Sequence, residues 1–164
     1  MKSIFLPWSK KYIIMYKPLY NWIYSIQKAS YDLKLIENNV FGRVSYRGKI
    51  YKNIVEFYNS YYEMYLKIST RPNVVVINYY KLISVDGLNY LNQKLDKIGF
   101  AKLDFNEFNI ALNQPAKNHG NSVKNANEAL ERYHRVNEEF KEKVFNSDLV
   151  HSLNPNLYTI FDNL

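Results

Sequence analysis

Four consecutive β-branched residues, Val74-Val75-Val76-Ile77, limit this chain more than any other stretch. Branching at Cβ disfavours a helix and favours a pleated strand. With no polar residue alternating through it, the run predicts a strand buried on both faces, as in a parallel sheet. Tyr12-Ile13-Ile14-Met15-Tyr16 is a second run of the same kind. Between the two, apolar residues recur at spacings of three and four. Two buried strands joined through a helix imply a parallel pair with a crossover connection.

The rest of the chain fills in around that pair. Leu19 to Lys28 reads as a helix, with Trp22, Ile23 and Ile26 on one face. Asn38 to Tyr51 reads as an irregular basic loop, punctuated by Gly42 and Gly48 and carrying Arg43, Arg47, Lys49 and Lys52. Asn53 caps a helix to Ile68, whose stripe of Ile54, Phe57, Tyr58, Tyr61, Tyr65 and Ile68 is expected in the core rather than as a base-stacking platform. Ser84 is expected to cap a helix from Val85 to Ile98, with Gly99 at its end. A polar loop follows Phe100, then a helix from Asn125 to Phe145, then a short helical tail marked by Ser147 and Pro155. The expected fold class is α/β, with a small parallel sheet, flanking helices and a helix-rich C-terminal half. Two strands are few for a parallel sheet, so either another strand is hidden in the sequence or part of the fold lies outside the chain.

Composition excludes several chemistries. There is no Cys, so no disulfide, thiolate metal site or cysteine nucleophile. His119, His134 and His151 lack partners at helical metal-ligand spacing. No phosphate-loop, dinucleotide-binding, nucleophile-elbow or kinase motif is found. Glu138 and Glu139 are adjacent on a helix and do not face each other, so they make a poor catalytic pair. No apolar run is long enough to span a membrane, and the short apolar start does not make a signal peptide, so the expected location is the cytoplasm. Residues 1–82 hold 13 basic and 4 acidic side chains, a net +9, and residues 83–164 hold 9 and 11, a net −2. The basic half points to an anionic partner. The abundance of Tyr and Asn carries less, because both accompany Lys and Ile in A/T-rich coding sequence.

One constellation stands out chemically. Lys17 follows a strand, and Ser25 lies within the helix after it. A cation and a hydroxyl so placed can both touch one phosphate.

The segment Tyr12-Ile13-Ile14-Met15-Tyr16-Lys17-Pro18-Leu19-Tyr20-Asn21-Trp22-Ile23-Tyr24-Ser25 resembles the 3′-phosphate-binding segment of sulfotransferases. That segment runs from a hydrophobic strand through a basic residue, a small polar residue and Pro to an aromatic-rich helix start and a Ser. Lys17 takes the basic position, Ser25 the serine, and Trp22 stands three residues before it. Pro18 stands where Asn or Asp is usual, and Leu19 where Pro is usual. Val55 to Ile98 is similar to the family's Tyr-rich helix, strand, Arg-Tyr-Glu-Asp-Leu motif and leucine-patterned helix ending in Leu-Gly. Here Asn78 replaces the Arg, and Tyr80-Lys81 replaces Glu-Asp. Leu153-Asn154-Pro155-Asn156-Leu157-Tyr158 resembles the last helix of such enzymes.

The resemblance implies a single sulfotransferase-like domain over residues 1–164, truncated at its N-terminus, with a partial P-loop-like three-layer core. It implies 3′-phosphoadenosine 5′-phosphosulfate (PAPS) or adenosine 3′,5′-bisphosphate as ligand, held by Lys17 and Ser25. A late basic loop of the family corresponds to Lys117, His119 and Gly120. The family moves a sulfuryl group from PAPS to a hydroxyl or amine. Its 5′-phosphosulfate loop, which follows the first strand, has no counterpart here, so the chain is expected to be a poor catalyst or none. The open sheet edge is expected to seek a complementary N-terminal chain or a second copy. The alternative is a small basic α/β module, non-catalytic, that binds nucleic acid or a partner protein through the Gly42–Lys52 region, although no groove-reading motif is found. A structural remnant without ligand is the third reading.

Overall fold

A computed structural model describes residues 9–30, 32–113 and 126–164. In chain order the elements are β1 (Tyr12–Tyr16), α1 (Leu19–Lys28), β2 (Lys34–Leu35), β3 (Val44–Tyr46) and β4 (Lys49–Tyr51). Then come α2 (Ile54–Ser69), β5 (Val74–Asn78), α3 (Tyr79–Leu82), α4 (Gly87–Lys97) and α5 (Phe105–Asn113). The chain continues with α6 (Ala126–Phe145), a 3₁₀ turn (Asp148–Ser152) and α7 (Pro155–Asn163). The fold is mixed α/β with a helix-rich C-terminal half, as the apolar pattern predicts.

β1 and β5 pair in parallel, with Tyr12 opposite Val74 and Tyr16 opposite Asn78. All five residues of β5 are buried. One face of the pair, carrying Ile14, Tyr16, Val74 and Val76, joins the main core with α1, α2, α6 and α7. Tyr16 stacks on Phe161 of α7 at 4.9 Å and meets Tyr62 of α2 edge-on at 5.2 Å. Val75 and Ile77 turn to the other face, and α4 packs on β5 there. Burial of β1 on both faces is not what the structure shows. Ile13 and Met15 are each 47% exposed. Among the described residues α4 lies over β5 and leaves that half of β1 to solvent. Both strands are edges of this two-stranded sheet, and what separates them is that α4 covers the second face of β5 and not that of β1.

The region expected to be an irregular loop carries β3 and β4, which with the preceding β2 make a second sheet, antiparallel, in the order β2-β3-β4. Arg47 and Gly48 both have positive φ, at 49° and 79°, and make the two-residue turn between β3 and β4. This is the hairpin turn whose twist matches its strands. Val44 and Tyr51 face inward, and the Tyr51 ring meets Phe57 of α2 at 5.0 Å. The polar stretch after Phe100 likewise holds a helix, α5. Asp104 and Glu107 make a reciprocal capping box at its start, through bonds of 2.8 and 3.1 Å.

α2 starts where expected, with the Glu56 N–H donating to Asn53 Oδ1 at 2.9 Å. Its buried face includes Val55 and Tyr62, while Tyr61 and Tyr65 are only half-buried. The helix expected from Val85 begins instead at Gly87. Ser84 donates its hydroxyl back to the Lys81 carbonyl at 2.7 Å, so it closes the short α3 rather than capping α4. Gly99, with φ of 66°, ends the α4 region as predicted.

Candidate functional site

The site is built where β1 stops. Lys17 and Pro18 carry the chain from the carboxyl end of the strand into α1, and Pro18 occupies the N-cap position. Two buried tyrosines of α2 hold the backbone there. Tyr58 donates its hydroxyl to the Lys17 carbonyl at 2.9 Å, and the Lys17 N–H donates to the Tyr62 hydroxyl at 3.2 Å. Both polar groups left free by the end of the ladder are thereby satisfied. Burial pushes the Tyr58 phenol well up and Tyr62 up to about 12, so both are neutral hydrogen-bonding groups at physiological pH.

With its backbone fixed, the Lys17 side chain reaches along α1. Its Nζ donates to Ser25 Oγ at 2.5 Å, and Ser25 donates in turn to the Asn21 carbonyl at 3.1 Å. The two residues singled out in the sequence are therefore brought together. The ammonium also stands 5.4 Å from the centre of the Tyr79 ring, just past β5. Asn21 is buried and donates to the Tyr133 carbonyl of α6 at 3.2 Å. That bond ties α1 to α6 beside Arg132.

The electrostatics of this corner are one-sided. Lys17 makes no ion pair with a carboxylate among the described residues. Burial first, and the Arg132 guanidinium second, pull its ammonium down to about 8. A desolvated cation with a second cation in range and no carboxylate paired to it favours an anion. A cleft of about 320 Å³ opens beside Lys17, floored by Met15, Trp22, Phe57, Tyr61 and Tyr62, with Asp32 also on its wall.

Other sequence candidates fall elsewhere. Lys117, His119 and Gly120 lie outside the described residues. His134 is exposed on α6 and sits 3.3 Å from the Tyr80 hydroxyl. Tyr80 in turn stacks on Tyr133 at 4.2 Å. His151 is exposed, and no metal-binding cluster occurs among the described residues. Among the described residues no hydrogen bond joins the basic hairpin to the Lys17 corner. Arg43 is neutralised by Glu37 at 2.7 Å, and Lys49 lies over the Tyr51 ring at 4.4 Å. Asn78 and Lys81, which depart from the family pattern, fasten β5 and α3 to α7. Asn78 donates to the Asp162 carboxylate at 3.2 Å, and Lys81 donates to the Asp162 carbonyl.

Sequence reasoning did not find Tyr62, Tyr79 or Arg132, and it saw Tyr58 only as core. Tyr62 carried a signal, since it stands one turn after Tyr58. Arg132 carried none, because it sits in an acidic stretch of α6 and meets Lys17 only through the tertiary fold.

Compared with protein-family models, curated proteins and solved structures, the chain matches none.

Proposed function

We propose that this chain binds a nucleotide through a phosphate ester at the Lys17–Ser25 corner. The ligand is adenosine 3′,5′-bisphosphate or PAPS, held by its 3′-phosphate. The observation that carries the reading is the Lys17 ammonium itself: desolvated, bonded to a serine hydroxyl, close to Arg132 and without a carboxylate. The resemblance of the Tyr12–Ser25 segment to sulfotransferases supplies the ligand class. Lys17 provides charge, Ser25 a hydroxyl donor, and Tyr58 and Tyr62 set where the cation stands. PAPS supplies an activated sulfuryl group when bound. The resemblance assigns its transfer to a 5′-phosphosulfate loop and a base, and Lys17 and Ser25 take neither role. The proposal is therefore of binding at this corner.

Calorimetric titration with adenosine 3′,5′-bisphosphate tests it. A charge-assisted hydrogen bond contributes about 1.5–3 kcal/mol, so Lys17→Ala is expected to weaken binding about 10–100-fold. Unchanged affinity in that variant, or no binding by the folded wild type, overturns the reading. A nucleic-acid binder would instead show a steep salt dependence shared among Arg43, Arg47, Lys49 and Lys52.

The depressed Lys17 ammonium gives a second expected result. Affinity rises as a phosphate monoester loses its second proton near pH ~6. It falls again as Lys17 deprotonates above about 8. A bound phosphate raises the Lys17 pKa, so binding near that pH takes up protons. Titration in two buffers of different ionisation enthalpy reads the uptake, which Lys17→Ala should remove. For the free protein the sign is the opposite of a stabilising pair. The folded state holds its proton more weakly than the unfolded chain, so this group's penalty is full below about 8 and relieved toward 10.5.

A further inference from the structure

The second cationic feature lies away from Lys17, beside β5. A cavity of about 240 Å³ is walled by Ser69 and Arg71 from the end of α2, by Val74–Val76 of β5, and by Lys94 and Lys97 of α4. Pro72 and Leu164 complete the lining, which includes no Asp or Glu side chain among the described residues. Lys94 is only 8% exposed. Its ammonium has no acceptor or ion-pair partner among the described residues, and it stands 5.3 Å from the centre of the Tyr90 ring. Lys81 approaches the same ring at 5.8 Å.

A buried cation without a partner is costly, and natural structures seldom leave one so. The cavity is smaller than the roughly 300–1,000 Å³ typical of pockets for drug-sized ligands. It suits a small ion rather than a nucleotide. We propose that this cavity is a binding site for a small tetrahedral oxyanion, phosphate or sulfate, held between Lys94 and Lys97. Arg71 and Ser69 also line the wall, but the Ser69 hydroxyl donates to the Leu66 carbonyl at 2.8 Å, so the site rests on Lys94 and Lys97. Burial, with Lys97 and Lys81 adding like charge, pulls the Lys94 ammonium down, and a bound anion reverses that pull. The site stands independently of the Lys17 reading.

The test is amide NMR of the full chain titrated with inorganic phosphate, and separately with inorganic sulfate. Saturable shifts are expected at Ser69, Val74–Val76, Lys94 and Lys97 at millimolar anion, and the relative affinities tell which of the two the site prefers. Lys94→Met keeps the apolar stem and should weaken binding about tenfold or more. Lys97→Met, on the exposed side of α4, provides the same reading if the first variant folds poorly. Lys17→Ala should leave these shifts unchanged, which separates this site from the nucleotide corner. Absence of saturable shifts in the wild type, or shifts of equal affinity in a folded Lys94→Met, overturns the proposal.

Discussion

Phe140→Ala is expected to lower stability by about 3–5 kcal/mol, the usual cost of deleting a buried aromatic ring. Phe140 is 1% exposed, on the inner face of α6. Its ring meets Tyr24 of α1 edge-on at 5.7 Å and stacks near Phe41 at 6.1 Å. The cavity left behind would lie between three segments that cannot close up independently. For a chain of this size, each kcal/mol shifts the melting midpoint by about 2–4 °C, so a fall of roughly 6–20 °C is expected in thermal unfolding. The consequence extends to the site. α6 carries Arg132 and the Tyr133 carbonyl that accepts from Asn21, and α1 carries Ser25. Loosening α1 from α6 should weaken the proposed nucleotide binding even where the variant remains folded. Phe140→Leu, which keeps much of the volume, should cost well under half as much. Equal losses in the two variants would show that the ring's contacts do not hold these helices.

Gly87→Ala is expected to destabilise by about 1–3 kcal/mol or more, against the usual gain from replacing helical glycine by alanine. A Cβ at Gly87 would stand 2.0 Å from the Leu82 carbonyl oxygen and 3.1 Å from the Phe108 ring. The carbonyl is backbone at the end of α3, and the neighbouring Ile83 N–H is bonded to Tyr79 at 3.2 Å. It cannot turn away as a side-chain tip would. The change should therefore push α3 from α4 and disturb the packing of α5 through Phe108. Urea unfolding measures the sign directly. A variant more stable than wild type would mean that the α3–α4 connection is free to move.

Gly87 also shows why one helix boundary was not legible. Ser84 has the identity of an N-cap, and nothing local distinguishes a hydroxyl that caps the next helix from one that closes the previous one. The chain leaving β5 must turn at once to lay α4 back on the strand, and that requirement produces α3. The hairpin of β3 and β4 was hidden for a different reason. Three-residue strands are too short to show alternation, and the signal present was the Arg47-Gly48 turn. In α5 the signal was Asp104 with Glu107, a capping pair inside a stretch whose polarity reads as loop.

The candidate site divides along the same line. Lys17 and Ser25 could be named from the sequence because strand end and helix are contiguous, so local geometry alone brings them near each other. What makes the corner electrostatically unusual came from farther away. Tyr58 and Tyr62 reach it from α2, Tyr79 from just past β5, and Arg132 from α6. Lys94 belongs to the same class, since Lys residues on a helix are ordinarily solvated and only the packing of α4 on β5 buries this one.

By itself, then, the sequence determined the parallel β1–β5 pair, the helices with strong apolar stripes and the Lys17–Ser25 contact, because each depends on periodicity or on neighbours in the chain. Tertiary structure alone decided that one face of β1 is left uncovered, and which cations lose water without gaining a carboxylate. Burial and charge pairing are properties of what the rest of the fold brings to a residue, and residues far apart in the chain leave no mark of that in its local sequence.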